Sequence, residues 1–198
     1  MSHGARIADA AIGFRVKSGC ATAVLVTGSI EAVRVLDRRV IELCDRTIPE
    51  SRQPYHAGMG VFQGDEAKVK PLLAVVVRVT GQSVADLLKG YRSADYRIRA
   101  AGLVVGSEFD PAKITNPHIR AHALEGRLFR NALEAALQSC GLPSSVVVER
   151  NAYARAAQIL KRSEYDLKSS VQILGRGLGG PWRADEKTAT LAAWLALV

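Results

Sequence analysis

The chain has 198 residues, a length that fits one domain with a full core and is short for two. With 48% hydrophobic and 23% charged residues, its composition is that of a globular chain and excludes a disordered or membrane protein. A formal net charge of +8 and a pI near 9.7 favour polyanionic partners, with nucleic acid first and an anionic membrane second.

The three cysteines, Cys20, Cys44 and Cys140, are odd in number, and no two stand at CxxC spacing. They argue against a disulfide framework or a zinc ribbon and read as buried free thiols in a reducing cytoplasm. Met1–Ala10 has no apolar run behind a basic start, so no signal peptide is expected. The most apolar stretches, Leu72–Val77 and Leu191–Val198, are too short to cross a bilayer. The expected setting is therefore cytoplasmic, without a membrane partner.

In chain order, Ile12–Val26 alternates and then turns apolar around Gly19, which predicts a strand, a tight turn and a second strand. Ala32–Cys44 is rich in β-branched residues and follows Gly28-Ser29, completing a three-stranded antiparallel meander. Asp45–Gly64, with three glycines and two prolines, reads as a loop. Asp65 caps a helix over Glu66–Val79, and a second helix follows Gly81 over Ser83–Tyr91. Ala100–Val105 is wholly apolar and suits a central parallel strand. Asn116-Pro117 starts a long helix that stops at Gly141. Val146–Val148 is a further buried strand. Helices come next at Ala152–Leu160, Tyr165–Leu174 and Asp185–Leu197, the last after a Gly-rich hinge at Gly175–Gly180. The order predicts a single α/β domain over 1–198, with a mixed five-stranded sheet flanked by helices: a three-strand antiparallel meander plus two parallel strands.

Four segments share a pattern with one family. GFRVKSGCATAVLV resembles the first hairpin of the RuvC Holliday-junction resolvases, within the RNase H-like superfamily. LVVGSEFDPAKITNPHIRAHALEGRLFRNALEAAL resembles their central strand, loop and long helix. PSSVVVERNAYARAAQIL is similar to their fifth strand and the residues after it, and RADEKTATLAAWLAL to their last helix. The resemblance implies an RNase H-like fold. It also implies a two-metal nuclease centre, with carboxylates on the first strand, at the end of the central strand and on the last helix.

Those carboxylates are missing from their expected places. The first strand offers Arg15 and Lys17, with no acid between Ile12 and Gly28. The central strand ends in Gly106-Ser107, with Glu108 displaced by about two residues. The last helix begins with Asp185 and Glu186. A fixed cation beside a metal site repels the ion, while the same cation suits a phosphate. Two main readings are open. In the first, the domain is a non-catalytic module without a cofactor. It binds nucleic acid, or a protein partner or a second copy of itself, through a basic cleft formed by Arg15, Lys17, Lys113, Arg120 and Arg127, with Arg130 nearby. In the alternative, displaced acids (Glu108, Glu149, Asp185 and Glu186) hold Mg²⁺ or Mn²⁺ for a structure-selective nuclease. A third role is a subunit packed into a larger assembly through an apolar helix face.

His118, His122 and Glu125 stand at i, i+4 and i+7, so one helix face presents all three. Two histidines at i, i+4 can chelate zinc. No second-site Cys or His to complete the set is evident from the sequence, and the glutamate is not at the HExxH position, so the trio reads as ordinary helix-surface or partner-contact residues. Trp182 reads as an anchor for the last helix in preference to a base-stacking residue. Glu149-Arg150 and Asp37-Arg38-Arg39 read as surface pairs, with Glu149 also a candidate to face the site. No Ser-His-Asp or Cys-His arrangement stands out.

Overall fold

A computed structural model describes residues 7–58 and 60–198. The first six residues of the Met1–Ala10 stretch, where no leader is expected, lie outside the described residues. The sheet is built from β1 (Ala8–Lys17), β2 (Cys20–Gly28) and β3 (Val33–Glu42) as an antiparallel meander. A small hairpin comes next, β4 (His56–Gly58) with β5 (Val61–Phe62), inside the segment expected to be loop. Then come α1 (Glu66–Ser93), β6 (Tyr96–Val105), α2 (Pro117–Ser139), β7 (Ser144–Val148), α3 (Ala152–Leu160), α4 (Glu164–Leu174) and α5 (Ala184–Leu195). The five-stranded order is β3-β2-β1-β6-β7, with β1, β6 and β7 parallel. This is the mixed sheet expected from the sequence.

The two helices expected around Gly81 are one helix of 28 residues. Glycine in a helix interior costs only about 1 kcal/mol. The stripe Val76, Thr80, Val84, Leu88 and Tyr91 runs buried through it at spacings of three and four residues, and its packing on the sheet prevails. Asp65 caps the start, accepting from the Ala67 N–H at 3.0 Å. By length and composition alone α1 is apolar enough to span a bilayer, so the apolar stretch Leu72–Val77 belongs to a longer apolar element than its own six residues suggest. In this fold its inner stripe lies on the sheet. Strand β6 begins at Tyr96, four residues before its apolar run. The alternating YRIR segment pairs with Ala8–Ala10, and Arg97 is bonded to Asp9 at 2.6 Å.

Even-numbered residues of β1 (Ile12, Phe14, Val16) face α1 and α2, joining Leu88, Phe129, Leu133 and Leu137 in one core. The other face carries α3, α4 and α5, with Ala11, Val24, Leu167, Leu191 and Trp194. Gly13 and Gly102 are register partners on β1 and β6. A Cβ on Gly13 would sit 1.8 Å from the Ala189 carbonyl oxygen, and one on Gly102 would sit 2.3 Å from that of Ala192. The paired glycines let α5 lie directly on the strand backbones, which fixes where its N-terminus falls.

Within Gly175–Gly180, expected as a hinge, Gly175–Leu178 is a 3-10 helix, and side chains hold the segment. The Trp182 ring lies where a Cβ on Gly175 would be, and its Nε1 donates to the Val171 carbonyl at 2.9 Å. Arg38 Nη2 donates to the Gly179 carbonyl at 2.7 Å. Trp182 is thus the expected anchor. The three cysteines are free; Cys44 is buried, while Cys20 and Cys140 are only half-buried.

Candidate nucleic-acid interface

Parallel β1 and β6 end side by side, and a groove of about 380 Å³ opens beyond their C-terminal ends. Such ends are where open α/β sheets place ligands. Arg15, Lys17 and Ser18 line one wall, Gly106 and Ser107 the other, and His122 of α2 closes a side. No carboxylate is among its lining residues.

Arg15 and Lys17 leave β1 on the same face as Gly13, toward α5. The Arg15 side chain is 9% exposed and meets Glu149, just past β7, as a fork. Its Nε donates to Oε1 at 3.2 Å and its Nη2 to Oε2 at 2.6 Å, while Nη1 donates to the Val16 carbonyl at 2.6 Å. Lys17 Nζ donates to Asp185 Oδ2 at 2.6 Å. Arg38 lies 3.6 Å from Glu186. A second Glu186 oxygen accepts from the Arg183 N–H at 3.0 Å and caps α5. Arg130 Nη1 donates to Glu108 at 3.0 Å. Each of the four candidate acids therefore has its own cation. Among the described residues no three of them gather into a metal-holding set.

The geometry corrects two expectations. Glu149 pairs with Arg15 across the sheet and not with its neighbour Arg150, which lies over the Phe109 ring at 5.9 Å. Arg15 is buried and satisfied, so it shapes the groove's charge without offering a free phosphate clamp. Its partner lies 134 residues away in sequence, and only the sheet order reveals it. Lys17 is half-exposed at the groove. Lys113, Arg120 and Arg127 are exposed on and before α2, with no carboxylate in bonding range among the described residues. Arg120 lies over the Phe62 ring at 5.6 Å.

The trio on α2 is not plain surface either. His118 and His122 are exposed, but Glu125 is fully buried and receives a ring nitrogen of His56 at 2.7 Å. Burial pushes the Glu125 carboxyl above the ordinary range, and the His56 bond pulls it back. His56 belongs to the hairpin inside the expected loop. Its Pro54-Tyr55 and Gly58 flanks marked a turn, and nothing in sequence tied it to α2. His122 is also a wall residue of a second cavity, of about 820 Å³, shared with His56 and His118.

No protein-family model matches this sequence, and no curated protein matches it. Solved structures do. The chain aligns with Thermus thermophilus RuvC at 13% identity and a TM-score of 0.54, covering 94% of this chain and 92% of that one. The fold is RNase H-like. The same RuvC in complex with a Holliday junction substrate aligns at 14% identity and a TM-score of 0.54, covering 96% and 92%. The yeast mitochondrial Holliday junction resolvase Ydc2 aligns at 10% identity over 98% of this chain and 80% of that one, with a TM-score of 0.47.

Proposed function

We propose that this chain is a RuvC-like domain that binds nucleic acid and does not cut it through carboxylate-held Mg²⁺ or Mn²⁺. The supporting observation is the groove itself: Arg15 and Lys17 line the place where the resemblance puts the metal centre, and the acids beside them, Glu149 and Asp185, are tied to these two cations. A divalent metal needs several converging hard oxygens. Here the nearby acids are neutralised in separate pairs, and the first-strand position holds the guanidinium of Arg15. Lys17, Lys113, Arg120 and Arg127 are the phosphate-contacting residues of this reading. Such contacts position a polyanion without reading its sequence. Arg15 acts at one remove: paired with Glu149, it keeps that carboxylate from serving a metal. A protein partner or a second copy of the chain belongs to the same reading as an additional ligand of the domain.

The deciding experiment uses a four-way DNA junction, a DNA duplex and an RNA duplex, each labelled, with binding followed by anisotropy across a KCl series. The expected result is binding that weakens steeply with salt, and intact substrates after incubation with Mg²⁺ or Mn²⁺. Cleavage with Mn²⁺ that disappears in E108A or D185A would overturn the non-catalytic reading and establish the nuclease built on displaced acids. Absence of binding to all three probes at low salt would overturn the nucleic-acid reading itself.

A further inference from the structure

The hairpin β4–β5 brings His56 against the first turns of α2. Asn116 starts that helix by accepting from the Ile119 N–H at 3.1 Å, which places His118 and His122 one turn apart on one face. His118 and His122 present their Nε2 atoms to each other at 3.2 Å. The ligand nitrogens of all three histidines lie within 4.8 Å of one another. Two nitrogens bound to one tetrahedral ion at the usual zinc–nitrogen length stand about 3.3 Å apart. The His118–His122 pair already has that separation, and the exposed rings of both can close on His56 by χ rotation.

A second observation points to the same ligand. The His56 side chain is only 8% exposed, and its Nε2 is buried without a hydrogen-bond partner. Such an atom costs free energy unless something fills its lone pair. Its Nδ1 lies 2.7 Å from Glu125 Oε1, so Nδ1 is engaged with the carboxyl and Nε2 is the ring nitrogen left without a partner. The other Glu125 oxygen, Oε2, is buried and unpartnered, 3.7 Å from Nδ1 of His122. One buried carboxyl thus lies beneath two imidazoles, bonded to His56 and within 3.7 Å of His122. That is how carboxylates orient histidine ligands behind a metal.

We propose that His56, His118 and His122 bind a divalent transition-metal ion of the zinc class through their ring nitrogens. Glu125 is the positioning residue beneath them, and the fourth coordination position opens on the exposed side of the cluster. An all-imidazole set selects Zn²⁺, Co²⁺ or Ni²⁺ and disfavours Mg²⁺ and Ca²⁺, which take oxygen. The ion would staple the hairpin to α2. This site is separate from the carboxylate centre that the RuvC resemblance implies, and it does not depend on the nucleic-acid reading.

The test uses the purified full chain after treatment with EDTA. Zn²⁺ binding by calorimetry should show one ion per chain, and Co²⁺ should develop the visible absorption of a tetrahedral nitrogen-rich site. Zn²⁺ at a hundredfold excess over its dissociation constant should raise the melting temperature by roughly 5–10 °C, while millimolar Mg²⁺ should not. The H118A/H122A variant removes two exposed side chains, so its fold can be verified by circular dichroism; it should lose both signals. E125Q should keep the stoichiometry and weaken affinity roughly 10–100-fold. Unchanged Zn²⁺ affinity in a folded H118A/H122A would overturn the site, as would equal stabilisation by Mg²⁺. So would nitrogen NMR showing a proton shared between His118 and His122 that added Zn²⁺ leaves undisturbed.

Discussion

Arg15 and Glu149 meet as a two-point fork, Nε to Oε1 at 3.2 Å and Nη2 to Oε2 at 2.6 Å, although one lies on β1, two residues before its end, and the other comes after β7. The arginine is buried, while the glutamate, 38% exposed, reaches water. Removing the glutamate should therefore hurt more than the geometry of one surface pair suggests, because it strands a buried guanidinium. E149A should lower unfolding free energy by about 2 kcal/mol. R15M/E149L, which removes both charges, should return to within about 1 kcal/mol of the parent. Urea unfolding of the parent, R15M, E149L and the pair closes the cycle. An additive double variant would show that the fork contributes no coupling.

On the proposed reading, Lys113, Arg120 and Arg127 provide the salt-sensitive part of binding. Replacing one of them with alanine should reduce the slope of log affinity against log salt by up to about 0.9 per lost phosphate contact on duplex DNA. The loss should be similar for junction and duplex, because backbone contacts carry no sequence information. Anisotropy at several KCl concentrations measures both quantities.

G13V tests how α5 is seated. The added side chain meets the Ala189 carbonyl, which is backbone and cannot swing aside. Overpacking of this kind costs typically about 1–3 kcal/mol. Trp194, buried on α5, should report it as red-shifted fluorescence in the folded state. An unshifted spectrum with parental stability would show that α5 does not rest on this backbone.

Tyr91 gives a pH dependence with a definite sign. Burial, and then the hydrogen bond it donates to Asp37 at 2.8 Å, raises its hydroxyl well above the ordinary value of 10.0. The folded chain holds that proton more tightly than the unfolded one. Its contribution is whole below about pH 10 and declines as pH rises from there toward the folded value. Chemical unfolding between pH 8 and 11 should show stability falling above pH 10, and Y91F should remove that part of the slope.

The sheet was readable from local pattern because its signals are local: the alternation at Phe14–Lys17, the turn at Gly19, the apolar run at Ala101–Val105 and the Asn116-Pro117 cap. The continuous α1 was hidden because Gly81 looks like a break until the buried stripe across it is known. The candidate site was half legible. Arg15 and Lys17 could be seen to stand where an acid was expected, since that needs only β1. Their partners could not be seen, because Glu149 and Asp185 arrive through strand order and through the glycine contact under α5. His118 and His122 were visible as a helical pair. His56 was not, because its hairpin joins them only by tertiary packing.

His122 forms part of two walls, the groove beyond β1 and β6 and the cavity beside the hairpin. A ring rotation that suited an occupant on one side would reshape the other, so the two occupancies would share a free energy. Such linkage is reciprocal. On the two proposals together, an occupant of the groove would reset the affinity of the histidine cavity by the same factor that an ion there would reset the grip on the groove's guest.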